Sequence, residues 1–166
     1  MAVSSSASRP LPLLEKLRHS PHICLAEAVR SANRAINRRY GQHMAELSIT
    51  VAQASLLMRL YYLGETTMAT LAEQMETDRT TMVRNVAPLE KSGHVIAITP
   101  DEGRALRYRL TDKGLAELEA ALPHWQAAQD ELRDDLGPDL WATLLAGMRR
   151  VVEIDGSACP RTTRTD

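Results

Sequence analysis

Phenylalanine is absent from this 166-residue chain, and its other aromatics amount to four Tyr and two Trp. Burial therefore falls to Leu, Ala, Val, Ile and Met, a palette that favours helices over β-sandwiches. Cysteine is almost as scarce: Cys24 and Cys159 are too few for a disulfide framework and fit a reducing cytoplasm. No run approaches about 18 uninterrupted apolar residues, which excludes a transmembrane helix and with it a membrane partner. The opening MAVSSSASRPLP lacks the basic-then-apolar layout of a secretory signal. Also missing are a P-loop, a nucleophile elbow, GxGxxG and HExxH, so neither catalysis nor a cofactor is expected.

The chain is one domain-sized unit, 25% charged and 44% hydrophobic, ordinary values for a soluble globular protein. Its net charge of −1 hides a strong segregation. Residues 30–39 hold four Arg and no acid. Residues 79–109 hold five Arg and one Lys against Glu90, Asp101 and Glu102. Residues 115–140 hold seven acids against Arg133 alone. Two basic zones and one acidic zone are thus separated along the sequence.

Hydrophobic periodicity orders the rest. Residues 1–20 read as a poorly ordered arm, Ser-rich over its first ten residues, and 155–166 as a flexible tail. A helix over 21–48 carries the stripe Leu25, Val29, Ala32, Ile36 and Tyr40. Arg30, Arg34 and Arg38 stack like charges along it, a ridge that asks for the acidic segment around Asp130, Glu131, Asp134 and Asp135 as neighbour. Thr50 is the expected N-cap of VAQASLLMRLYYL, closed by Gly64. TMATLAEQM supplies a short helix with Met68, Leu71, Ala72 and Met75 on one face. After Gly93 the period changes to two: HVIAIT, the turn PDEGRA and LRYRL form a two-stranded hairpin over 94–110 with a charged tip. Two further helices fill 113–154.

The stretch METDRTTMVRNVAPLEKSGHV, Met75 to Val95, carries the chemistry. Asp78 caps a helix over 78–92 whose Met82, Val83, Val86 and Leu89 are expected to be buried. Pro88 is read as a tolerated bend. The other side presents Arg79, Thr80, Thr81, Arg84, Asn85 and Lys91. Short hydroxyls, amides and guanidinium forks are the groups that read base edges in a major groove. A helix end favours phosphate. Arg104 at the hairpin tip is suited to an adjacent minor groove, with Arg107 and Arg109 near the backbone. The alternative use is a winged helix as a protein–protein module.

The order helix–turn–helix–hairpin, with Leu71-Ala72-Glu73, Asp78 to Thr81, Leu89-Glu90 with Gly93, and Leu110-Thr111 with Gly114, resembles the MarR family of winged-helix bacterial regulators. The similarity spans roughly residues 20–150. It implies a mainly α fold with a small β-hairpin wing: a winged helix-turn-helix lobe over 49–112 plus dimerisation helices at 21–48 and 113–154. It further implies a homodimer that binds a double-stranded DNA operator, usually as a repressor released by a small, often aromatic or lipophilic ligand. One departure concerns the wing. Aligned from Leu110, Arg104 matches the second of the two arginines common there, but Asp101 stands where the first would fall.

His22, Arg30, Met58 and Tyr61 are the candidate effector contacts that the resemblance suggests, each with an ordinary core or surface alternative. Cysteine oxidation is the other means of release implied. Some relatives pair thiols across subunits, which would join Cys24 and Cys159. In the organic-hydroperoxide-sensing branch, however, the reactive Cys would align with Ala26, about 200° around the helix from Cys24. His19, His22 and Cys24 lack a fourth ligand, so no metal is expected.

Overall fold

The computed structural model of the chain describes residues 24–99 and 105–154. Six helices and three strands follow in the order α1 (Leu25–His43), α2 (Val51–Leu63), β1 (Thr66–Thr67), α3 (Met68–Gln74), α4 (Arg79–Lys91), β2 (Val95–Ile98), β3 (Arg107–Leu110), α5 (Asp112–Leu136) and α6 (Pro138–Ile154). The expected arm at 1–20, tail at 155–166 and hairpin tip with Arg104 lie outside the described residues, as do His22 and Cys159.

Chain packing separates two units on either side of Ala35. In the first, the Cys24 carbonyl opens α1 by accepting from the amides of Glu27 and Ala28. The side chains over 24–35 are exposed except for half-buried Val29. Arg34 donates to the Ser31 hydroxyl at 2.8 Å.

The second unit begins with the remainder of α1. Tyr40 is buried there, and burial pushes its phenol above the usual range. Arg39 Nη1 lies 2.8 Å from Glu131 and 2.9 Å from Asp135 on α5, and His43 Nε2 lies 2.7 Å from Glu131. His124 Nδ1 meets the His43 carbonyl at 2.7 Å. The acidic segment thus takes Arg39 rather than Arg38 from the expected ridge. One residue rotates a helical side chain by about 100°, enough to turn Arg38 outward to solvent.

The lobe between α2 and β3 is built from strong local signals. Thr50 and Gln53 form a reciprocal capping box at the start of α2, and Gly64, at φ 66°, ends it. Thr67 caps α3, Asp78 caps α4 and Thr111 caps α5, each through its side-chain oxygen. Helix α4 runs through Pro88 to Lys91, so the proline is accommodated within the helix. Leu56, Leu57, Leu60, Leu71, Met82, Val86, Leu89 and Val95 are the largest fully buried side chains and make one apolar core. Val83, expected in that stripe, is instead 46% exposed. Met82, Val86 and Leu89 already span the contact face, and Val83 projects about 100° away from Met82.

Among the described residues the β-structure has three strands rather than the expected two. They lie in the order β1-β3-β2, all antiparallel, with Thr66 opposite Tyr108 and Val95 opposite Leu110. Thr66–Thr67 is too short to leave a period in the sequence, which is why the third strand escaped notice. Helices α5 and α6 complete the described chain. Pro123 lies inside α5, and no residue of α6 is buried. No described helix is long and apolar enough to cross a membrane.

Candidate nucleic-acid interface

The candidate interface centres on the face of α4 that the core leaves free. Arg79, Thr80, Arg84, Asn85 and Lys91 are exposed there, and Glu90 is the helix's sole acid. Thr81 behaves differently from Thr80. Its amide donates to Asp78 Oδ1 at 2.9 Å and its hydroxyl to Asp78 Oδ2 at 2.6 Å. Those bonds, the hydroxyl's first, hold the Asp78 carboxyl below the usual range. With its proton committed to the cap, the Thr81 hydroxyl offers only acceptor capacity, whereas Thr80 keeps both roles. Arg84 and Asn85 also border a cleft of about 190 Å³ beside the N-terminus of α2, with Thr50, Gln53 and Pro88.

The wing is coupled to this helix. Arg79 and Glu90 act electrostatically on Tyr108 of β3, whose phenol is raised mainly by burial, further by Glu90, and lowered by Arg79. Arg107 on the same strand is exposed; its guanidinium is 3.5 Å from the Glu65 carboxylate and 3.4 Å from the Glu65 carbonyl. Arg109 is exposed as well and donates to the Leu110 carbonyl at 3.2 Å.

A compact junction fixes the end of α4 to the start of α5. Gly93, at φ 78°, turns the chain after the helix. The Thr111 hydroxyl donates to the Gly93 carbonyl at 2.7 Å and the Thr111 amide to the His94 carbonyl at 3.1 Å. Lys113 Nζ donates to the Ser92 carbonyl at 2.7 Å. A Cβ on Gly114 would collide with the His94 carbonyl, which explains why glycine follows Thr111 by three residues. His94 is 3% exposed, with Nδ1 at 2.7 Å from the Ser92 hydroxyl. Its Nε2 has no hydrogen-bond partner and stands 3.9 Å from Glu117, a carboxylate that accepts from the Ser48 amide and hydroxyl. Sequence reasoning missed these supports. The Thr111–Gly114 spacing was visible, but the group it accommodates lies 20 residues earlier.

The expected effector contacts fall differently. Cys24 and Arg30 are exposed in the first unit. In the second, Met58 is half-buried against the core, and Tyr61 is exposed with its ring 5.7 Å edge-on from Tyr62. Among the described residues, no three of His, Cys, Asp and Glu are grouped to hold a metal ion.

Residues 49–96, from the start of α2 to the first wing strand, match the sequence model of the MarR family. An uncharacterized HTH-type transcriptional regulator of Bacillus cereus is 27% identical over 108 residues, 65% of this chain and 71% of its own. Among solved structures, a mutant MarR from E. coli complexed with operator DNA superposes with a TM-score of 0.71 at 25% identity, covering 77% of this chain and 93% of that one. The M. tuberculosis regulator MOSR in complex with DNA gives 0.68 at 28%, covering 80% and 98%. The ligand-free form of an organohalide-sensing regulator, RdhR-CbdbA1625, shares the fold over 99% of this chain and 98% of its own, with a TM-score of 0.74 at 17% identity. With its capped helix α4 and three-stranded wing, the chain has the winged helix-turn-helix fold of these regulators, and over residues 49–96 its sequence matches the MarR family.

Proposed function

We propose that the protein is a homodimeric repressor that reads a palindromic DNA operator through α4 and the wing and is released by a small ligand. The observation that carries the reading is the outer face of α4: Thr80, Arg84, Asn85 and Lys91 exposed around a helix whose opposite stripe is fully buried. Arg84 is assigned a paired contact to guanine, Asn85 an adenine or phosphate contact, and Arg79 and Arg107 the DNA backbone. Thr81 acts chiefly through the cap. Arg104 keeps its assignment to the minor groove from the sequence alone. The lobe at 49–112 is then the DNA-binding part.

Dimerisation is assigned to the terminal helices at 21–48 and 113–154. Leu140, Leu144, Leu145, Met148, Val151 and Ile154 are all exposed along α6, a run that a solitary soluble chain would leave in water. Closed two-fold symmetry matches two half-sites about one helical turn apart. Release by a ligand rests on the resemblance to the MarR family, and its chemistry is left to the class of aromatic or lipophilic acids.

The test is selection of duplex DNA from a random pool, followed by titration at several salt concentrations. The enriched sequence is expected to be palindromic, and affinity is expected to fall steeply with salt because phosphate contacts release counterions. Arg84→Ala is expected to cost about 1–3 kcal/mol and relax preference at one base pair of each half-site. Enrichment of no sequence, or an Arg84→Ala variant that binds the selected duplex like the parent, refutes the reading.

A further inference from the structure

Val83 is the one large apolar side chain on α4 left in water, at 46% exposure. It belongs neither to the buried core nor to the partly buried hydrophobics packed against it. Thr80 precedes it by three residues and Ala87 follows by four, so the three share one strip of the helix, and Arg84 adjoins it. All four are exposed. A β-branched side chain loses rotamer freedom in a helix, and one left in water recovers none of that loss through burial. What sets Val83 apart from the other exposed apolar side chains is its place on the polar face of α4 beside Thr80, where it is free for a contact outside the chain.

Resting on the assignment of α4 to a major groove, we propose that Val83 is a specificity residue that packs against the C5-methyl of a thymine. The four base pairs display nitrogen and oxygen donors and acceptors along the major groove, and the thymine methyl is the single apolar group among them. Thr80 and Arg84 can bond only to the polar positions through their hydroxyl and guanidinium. Val83, on the flank of Thr80 away from Arg84, offers two methyl groups and no donor or acceptor. Pressed against an amino or carbonyl edge it would strip water from that group without replacing the bond, so it discriminates against the other bases as well as favouring thymine. Because Arg84 projects from the adjacent position, the thymine lies within roughly one or two base pairs of the guanine that Arg84 contacts.

The methyl can be removed without altering base pairing by replacing thymidine with deoxyuridine. The probe is the duplex enriched by the protein from a random pool, synthesised with one dT→dU replacement at a time. Wild-type protein is expected to lose about three- to fivefold in affinity for one symmetry-related thymine per half-site, the magnitude of one buried methyl group. Val83→Ala, a change on an exposed surface, is expected to bind the unmodified duplex more weakly by a similar factor. Its affinity should no longer respond to deoxyuridine at that position, while its response at every other thymine stays that of the parent. Indifference of the wild type to every replacement overturns the assignment, as does a Val83→Ala variant with wild-type sensitivity at the same thymine. Enrichment of no duplex at all overturns the major-groove reading and this assignment with it, so the two failures are told apart.

Discussion

Helices α4 and α6 are both amphipathic, yet their apolar faces have opposite fates. Met82, Val86 and Leu89 of α4 are at most 1% exposed, whereas Leu144, Leu145, Met148 and Val151 of α6 are each at least 40% exposed. Periodicity alone does not distinguish them. What differs is the neighbourhood: α4 lies against α2, α3 and β2, while α5 alone packs appreciably on α6. The first stripe is satisfied within one chain. The second is left in water within one chain, and under the proposed dimer its burial would depend on a second molecule and hence on concentration.

The sharpest way to break this contrast is to charge the α6 face. Leu144→Glu combined with Met148→Glu is expected to convert a dimer into a monomer in sedimentation experiments, with the secondary structure of the lobe retained. A dimer that survives both charges would remove α6 from the interface. Met82→Ala tests the other side: it should lower unfolding free energy by about 2–5 kcal/mol in denaturant titrations, at every protein concentration. Gly114→Ala should cost about 1–3 kcal/mol, because the added methyl meets the backbone carbonyl of His94 rather than a movable side chain. Wild-type stability in that variant would show that the junction yields easily.

The smallest effect concerns the α4 cap. The Asp78 carboxyl is held below its ordinary value in the folded chain. Its contribution is therefore complete above the unfolded-state value of about 4 and declines as pH falls through the depressed folded value. Asp78→Asn retains a capping oxygen but cannot titrate. The wild type is expected to melt higher than this variant at neutral pH, and the difference should shrink in acid. An acid-independent difference would show that the charge of Asp78 does not support the helix.

Legibility in the sequence followed the range of the forces. Thr50, Gly64, Asp78 and Gly93 announced helix ends because a cap acts within three or four residues, and all four stand where expected. The alternation in LRYRL likewise survives as exposed Arg107, buried Tyr108, exposed Arg109 and buried Leu110. Signals that depend on distant partners were lost. Val83 was counted among buried residues because a four-member stripe looks continuous on paper, while the space beneath α4 admits only three of its members. Arg39 was passed over for Arg38 because the choice depends on where α5 crosses α1. The exposed polar face of α4 was legible as a set of residue types. That Thr81 spends its proton on Asp78 was not, since a hydroxyl's partner is a matter of rotamer.

The junction at Gly93, Thr111 and Gly114 has a mechanical consequence. It fixes one end of α5, a 25-residue helix about 37 Å long, to the exit of α4 through the Thr111 hydroxyl and the Lys113 ammonium, which donate to the Gly93 and Ser92 carbonyls. Such a helix is a lever with its fulcrum at the wing. Over that length a tilt of about 5° moves the far end by roughly 3 Å relative to the junction. Helix α6 continues from the outer end of that lever. Small angles at the junction thus become displacements of whole ångströms where α6 begins.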